Sequence, residues 1–396
     1  MKSNRTRRAV LATGTAALAG LAGCVSGTDR EGEGDPDSND GNGTDDGSGN
    51  ENSSDTDGNE GNGSYSVTME PVGTLEFDEP PERWATYFSG YADMGVALGV
   101  GDGLLSVGNA PRYHTQYYDK LEGVSVEKDD LVQLIGEGGI DKEVFYDLEA
   151  DLHLMDPNWL VKNGAFNLEQ SDVDEISTEI APFMGNVIFR QTDPWHDYRY
   201  YSLYEAFEIV AQIFQREERY EAFASLHDEF ISDVQAELPP ESERPNALLV
   251  WGGEEPEAFS PYRLGEGTSK KQWRDLGIGD ALEGTGVDGL STDDRGQIDY
   301  ETMLEVDPDV LLVRGHEAKS AEEFEDSVLA FMQDHPMASD LTAVQDERVF
   351  RGGPLYQGPI INLFTTERAA LELFPDRFEG DLFDRERVAE IVTDGP

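Results

Sequence analysis

The chain has 396 residues, enough for two ordinary domains or for one two-lobed body with a sizeable core. Lys and Arg total 29 against 82 Asp and Glu, a formal net charge of −53, and a surface of that sign repels phosphate backbones and excludes nucleic acid as a partner. The excess acid runs through the whole chain, as expected of a salt-adapted, haloarchaeal-type proteome in which screening makes a like-charged surface tolerable.

The first segment is a signal. Thr6-Arg7-Arg8 has twin-arginine form, an apolar run from Ala9 to Ala22 follows, and Leu21-Ala22-Gly23-Cys24 ends it in lipobox fashion. The run is too short to span a bilayer, which takes about 20 residues. We read residues 1–23 as a Tat-type lipoprotein signal peptide and Cys24, the single cysteine, as the lipidated residue. A lone cysteine also rules out an internal disulfide or a cysteine metal site. Residues 24–64 are Gly, Asp, Asn, Ser and Glu with almost no apolar side chain; they read as an acidic disordered linker carrying sequons at Asn42, Asn52 and Asn62. Such a tether of about 40 residues reaches roughly 35 Å.

From residue 65 the pattern alternates. Strands are predicted at Arg83–Phe88, Leu104–Val107 and Asp151–Met155, with helices at Ala92–Leu98 and Asp141–Leu148. Residues 202–238 keep apolar side chains at helical spacing, Leu203, Phe207, Val210 and Phe214, then Phe223, Phe230 and Val234, with a break near Arg216. Strands return at Ala247–Trp251, Val310–Val313 and Arg348–Phe350, and helices at Glu301–Val306 and Pro359–Leu373. The expected fold is α/β: an N-terminal lobe (65–201), an interlobe helix (202–238) and a C-terminal lobe (239–396), two Rossmann-like lobes with a ligand cleft between them.

An internal repeat supports two lobes. Gly138-Gly139-Ile140-Asp141-Lys142-Glu143 precedes Leu148-Glu149-Ala150-Asp151-Leu152; Gly296-Gln297-Ile298-Asp299-Tyr300-Glu301 precedes Val306-Asp307-Pro308-Asp309-Val310 at the same spacing. Each copy reads as an Asp-capped helix with Glu in its first turn, then a buried strand. The unit resembles the helix–strand repeat of class III substrate-binding proteins, the siderophore- and cobalamin-binding type that serve ABC importers. The resemblance extends over Arg83–Leu373, including Ala97-Leu98-Gly99 at the end of the first helix and Ala343–Phe350 before the last. Two departures stand out: Ala150 replaces the usual Pro, and the segment Asp156–Tyr200 is longer than the family's. The resemblance implies a two-lobed fold, permease subunits as partners, and Glu143 and Glu301 as the permease-docking carboxylates, one per lobe. It implies a ferric siderophore or related chelate as ligand, with cobalamin and haem as alternatives.

Ligands of α/β lobes sit beyond the carboxyl ends of strands. Loops there hold scarce basic residues and aromatics, and from them come the candidate ligand contacts: Arg112, Tyr113, Trp159, Trp195, Arg199, Trp251, Arg263, Arg314 and Tyr356. Arg suits an anionic chelate, and flat rings suit its shell. Tyr113, His114, His196 and His316 are possible direct iron ligands, but six histidines with no pair at helical spacing favour recognition of a preformed chelate over a protein-built metal or cofactor site. No Gly-x-Ser-x-Gly, His-Glu-x-x-His or P-loop motif suggests an enzyme.

Overall fold

The computed structural model describes residues 63–287, 289 and 296–395; the signal segment, Cys24, and the linker with its sequons up to residue 62 lie outside them. The body opens with a hairpin, β1 (Tyr65–Met69) antiparallel to β2 (Gly73–Phe77). The N-terminal lobe follows: β3 (Trp84–Ala85), α1 (Ser89–Ala97), β4 (Leu104–Val107), β5 (Val132–Gln133), a small β6–β7 ribbon (Ile135–Gly136, Gly139–Ile140), α2 (Glu143–Leu148), β8 (Leu152–His153), α3 (Pro157–Lys162) and α4 (Gln170–Glu179). Its parallel sheet runs β5-β4-β3-β8.

The stretch expected as an interlobe helix is two helices, α5 (Leu203–Phe214) and α6 (Glu217–Glu237). Ser202 and Glu205 form a capping box that starts α5. Gln215 turns into the left-handed region at φ 52°, and the Arg216 amide reaches back to the Ala211 carbonyl, closing the helix as a Schellman-type end. The second helix then folds back on the first: Phe207 packs edge-on against Phe223, and the Tyr204 and His227 rings lie 4.2 Å apart. The chain thus breaks where the spacing near Arg216 placed a break, and the second helix, α6, has 21 residues and is about 31 Å long.

The C-terminal part contains β9 (Asn246–Trp251), β10 (Ser260–Tyr262), α7 (Lys271–Asp275), β11 (Gly279–Asp280), α8 (Tyr300–Val306), β12 (Val310–Arg314), α9 (Ala321–Phe324), α10 (Ala330–Asp334), α11 (Thr342–Gln345), β13 (Val349–Arg351), α12 (Pro359–Leu373) and α13 (Arg385–Thr393). Its sheet runs β10-β9-β12-β13, with β9, β12 and β13 parallel and β11 beside the start of β9. Strand alternation divides the burial: Ala247, Leu249, Val310 and Leu312 face the main core, while Leu248, Val250, Leu311 and Val313 face a second cluster under α8–α11.

The repeat is visible at atomic detail. Asp299 caps α8 through the Thr302 amide, and Asp141 accepts the Glu143 amide at the start of α2. Both helices end in left-handed residues, Glu149 (φ 49°) and Asp307 (φ 42°). Asp151 then accepts the Arg83 amide at 2.8 Å and Asp309 the Asn246 amide at 2.8 Å, each pinning the first strand of its lobe to the strand after the repeat helix. The fold is thus a two-lobed α/β body. The final helices are shared between its lobes: α12 packs on α1 of the first and α7 of the second. Gly90 and Gly358 allow this crossing, since a Cβ on Gly358 would sit 2.5 Å from the Gly90 carbonyl oxygen. Buried Asp93 of α1 accepts the Ile361 amide at 3.0 Å, so the first turn of α12 is capped from the other lobe.

Candidate functional site

A cleft of about 330 Å3 opens where the strand ends of the lobes face one another. From the first lobe it takes Tyr87 after β3, Asn109 and Arg112 after β4, and Trp159 on α3, which Asp156 caps by accepting the Asn158 amide. The long segment 156–200 supplies six wall residues, among them Trp159, Phe166, Phe189 and Arg190. From the second lobe come Trp251 at the end of β9, Tyr262 of β10, and Leu355 and Tyr356 after β13. The walls are aromatic on both sides: around Phe189, Phe88 packs tilted and Trp159 and Tyr356 edge-on, at 5.6, 5.4 and 5.1 Å.

Two cations enter this aromatic wall. Arg190 lies over Trp159 and Phe189 at 5.4 and 5.1 Å, while Asp193 holds it by a two-point pair at 2.8 and 3.0 Å. Arg112 reaches across from the first lobe to the Trp251 ring of the second, 5.2 Å away. Both charges act on the buried Tyr356 phenol; burial raises its pKa and the two guanidiniums oppose that rise. Tyr87 is pushed up more strongly, by burial foremost, with Arg112 again opposing. These phenols therefore stay protonated at neutral pH and act as hydrogen-bond donors. Trp251 also lines two adjoining cavities, of about 290 and 740 Å3, so the cleft branches at the Arg112–Trp251 contact.

Of the nine ligand contacts anticipated, the structure brings Arg112, Trp159, Trp251 and Tyr356 together in the cleft. The other five do not line it. Tyr113 is buried, its hydroxyl 3.0 Å from that of Tyr118. Trp195 sits beside Trp159 at 6.3 Å. Arg199 pairs with Glu205 at 2.9 Å and covers the Tyr201 ring. Arg263 is held by Asp280 at 2.6 Å. Arg314 is fully buried behind Tyr262, 4.8 Å from its ring. Among the possible iron ligands, His114 lines the smaller side cavity, His196 packs on Tyr198, and His316 lines the larger side cavity and packs on Phe324. No group of three or more His, Cys, Asp or Glu able to hold a metal occurs among the described residues. Sequence reasoning missed Tyr87, Phe166, Phe189 and Arg190; the extra length of 156–200 was the signal that could have pointed to the last three. Glu143 and Glu301 are exposed at the first turns of α2 and α8.

Residues 85–355 match the periplasmic binding protein family. The chain belongs to that family. Its fold is similar to a periplasmic binding protein of Veillonella parvula (15% identity, 79% of this chain and 98% of that one, TM-score 0.57). It is similar also to the petrobactin-binding protein YclQ of Bacillus subtilis (16% identity, 79% and 99% covered, TM-score 0.55). A third similar structure is the triscatecholate siderophore binding protein FeuA of Bacillus subtilis, complexed with ferri-bacillibactin (14% identity, 78% and 98% covered, TM-score 0.52). No curated protein matches the chain. At these identities the likeness is one of fold, a class III-like binding-protein architecture. Membership in the family makes the chain a non-catalytic, extracytoplasmic substrate-binding protein of the kind that works with ABC importer permeases. No described helix is long and apolar enough to cross a membrane.

Proposed function

We propose that this periplasmic binding protein is a lipid-anchored receptor that captures an anionic ferric chelate of siderophore type and delivers it to its permease. The observation that carries the reading is Arg112, which has no ion pair among the described residues and lies over the Trp251 ring in an aromatic cleft shared with the Asp193-paired Arg190, in a chain with 82 acidic residues. A guanidinium held against rings is a strong partner for a charged oxygen and a weak one for a neutral ligand. That favours an acidic chelate over a neutral corrinoid, and the branching of the cleft at Trp251 leaves room for one larger than the central cavity. The two similar structures that bind petrobactin and ferri-bacillibactin add support at the level of fold.

Glu143 and Glu301, exposed and one per lobe, suit charge-assisted contacts to arginines of the permease. Titration against ferric triscatecholate, ferric hydroxamate, haem and cobalamin tests the proposal. We expect binding of a ferric chelate, weakened roughly 10- to 100-fold by Arg112→Ala and unchanged by Arg263→Ala. Glu143→Ala with Glu301→Ala is expected to retain binding and lose uptake. Failure of all four probes, or equal losses from Arg112→Ala and Arg263→Ala, removes the reading. Anchoring is checked separately: Cys24→Ser should move the protein from the membrane fraction to the medium, and retention in the membrane excludes a lipid anchor.

A further inference from the structure

Behind the Tyr262 wall, two cations are buried without a carboxylate. Lys270 and Arg314 are each about 1% exposed, and among the described residues neither forms an ion pair. The acids nearest in effect are engaged elsewhere. Asp280, which acts on Lys270, binds Arg263 at 2.6 Å. Glu317, which acts on Arg314, is paired with Arg368 through both carboxylate oxygens and also accepts the Tyr117 hydroxyl. The surrounding cations already have partners: Arg190 has Asp193 and Arg274 has Glu266 at 3.5 Å. Among the described residues each of these carboxylates is thus matched to an arginine, and neither Lys270 nor Arg314 has one.

The donors tell the same story. Arg314 gives Nη2 to the Ser269 carbonyl and Nε to that of Gly352 at 3.3 Å, but its buried Nη1 has no acceptor. Gln272 Nε2, three residues past Ser269, is a second buried N–H donor without a partner; Gln357 fixes its orientation by donating to Gln272 Oε1 at 3.1 Å. Burial, with the Arg314 charge next, presses Lys270 down to about 7. Burying two like charges and leaving donors unmet is destabilising. Lys270 can shed its proton near neutral pH but Arg314 cannot, so a water molecule would satisfy the hydrogen bonds and leave at least the Arg314 charge.

We propose that Lys270 and Arg314 form a resident site for a small monovalent anion of the halide class. A halide accepts several N–H donors at once, carries one compensating charge, and needs no further protein acid. The site does not rest on the chelate reading and stands whatever the cleft carries. It would tie the second wall of the cleft, Tyr262 on β10, to the salt in which the protein folds.

Crystals of the protein soaked in potassium bromide test the site directly. The expected result is an anomalous bromine peak within about 3.5 Å of Arg314 Nη1 or Lys270 Nζ; bromide at surface positions with none there overturns the proposal. In solution, potassium chloride is exchanged against potassium glutamate at fixed ionic strength, glutamate being too large to enter. Relative to Lys270→Met, the wild type should gain about 2 °C of melting midpoint per tenfold rise in chloride above its dissociation constant. Equal chloride dependence in wild type and variant overturns the site. Arg314→Met should behave as Lys270→Met does; should it fail to fold, Lys270→Met and the bromide peak decide.

Discussion

The two lobes carry the same helix–strand unit, yet they complete it differently. In the second lobe β9 and β12 run for six and five residues, and both of their faces are filled with aliphatic side chains. In the first lobe the counterparts β3 and β8 are two residues each, and the matching positions hold Trp84 and His153 where the second has Ala247 and Leu311. The difference teaches that the repeat specifies where strands start, through the Asp151 and Asp309 clamps, and not how long they run. Short strands in the first lobe are compensated by large rings and by the 156–200 segment, which bridges to His153 of β8 through Phe183 and furnishes part of the cleft wall.

The sharpest way to break the comparison is at Trp84 and Ala247, which occupy equivalent places in their sheets. Trp84 is fully buried, donates to the Val100 carbonyl at 3.1 Å and packs against Phe214. Trp84→Ala should cost about 3–5 kcal/mol in urea unfolding, whereas Ala247→Gly should cost about 1. Similar costs at the two places would mean that the first lobe does not depend on its rings.

A smaller effect distinguishes the lobes by pH. His153 is buried, donates only from Nδ1 to the Ala181 carbonyl, and burial lowers its pKa from 6.5 to about 4. The unfolded chain therefore binds more protons than the folded one between those values, so stability is full above pH 6.5, falls as the pH drops from 6.5 to 4, and levels off below 4. The loss approaches roughly 3 kcal/mol at pH 4. His153→Leu, which copies Leu311, should flatten this part of the acid profile; a profile unchanged in the variant assigns the sensitivity to other groups.

The smallest effect is at the clamps. Asp151 accepts two amides, Glu82 and Arg83, while Asp309 accepts one, Asn246. Asp151→Ala should cost about 1–2 kcal/mol and Asp309→Ala about 1, read from urea midpoints at constant salt. A reversed order would show that the second lobe relies on its clamp more than its long strands suggest.

The residues themselves determined the class of fold, because strand and helix periods, caps and the spacing of Asp141, Asp151, Asp299 and Asp309 are local properties. They also determined that the chain turns near Arg216, since the apolar spacing shifts phase there. Tertiary structure decided the rest. Nothing local tells α6 to fold back along α5, as the packing of Phe207 on Phe223 does, or sends α12 across both lobes to meet Asp93. It also separated arginines alike in sequence: Arg112 and Arg190 reached the cleft, Arg263 met Asp280, and Arg314 was buried. A guanidinium's role depends on which carboxylate, ring or carbonyl lies within a few ångströms, and that neighbour usually comes from a distant part of the chain.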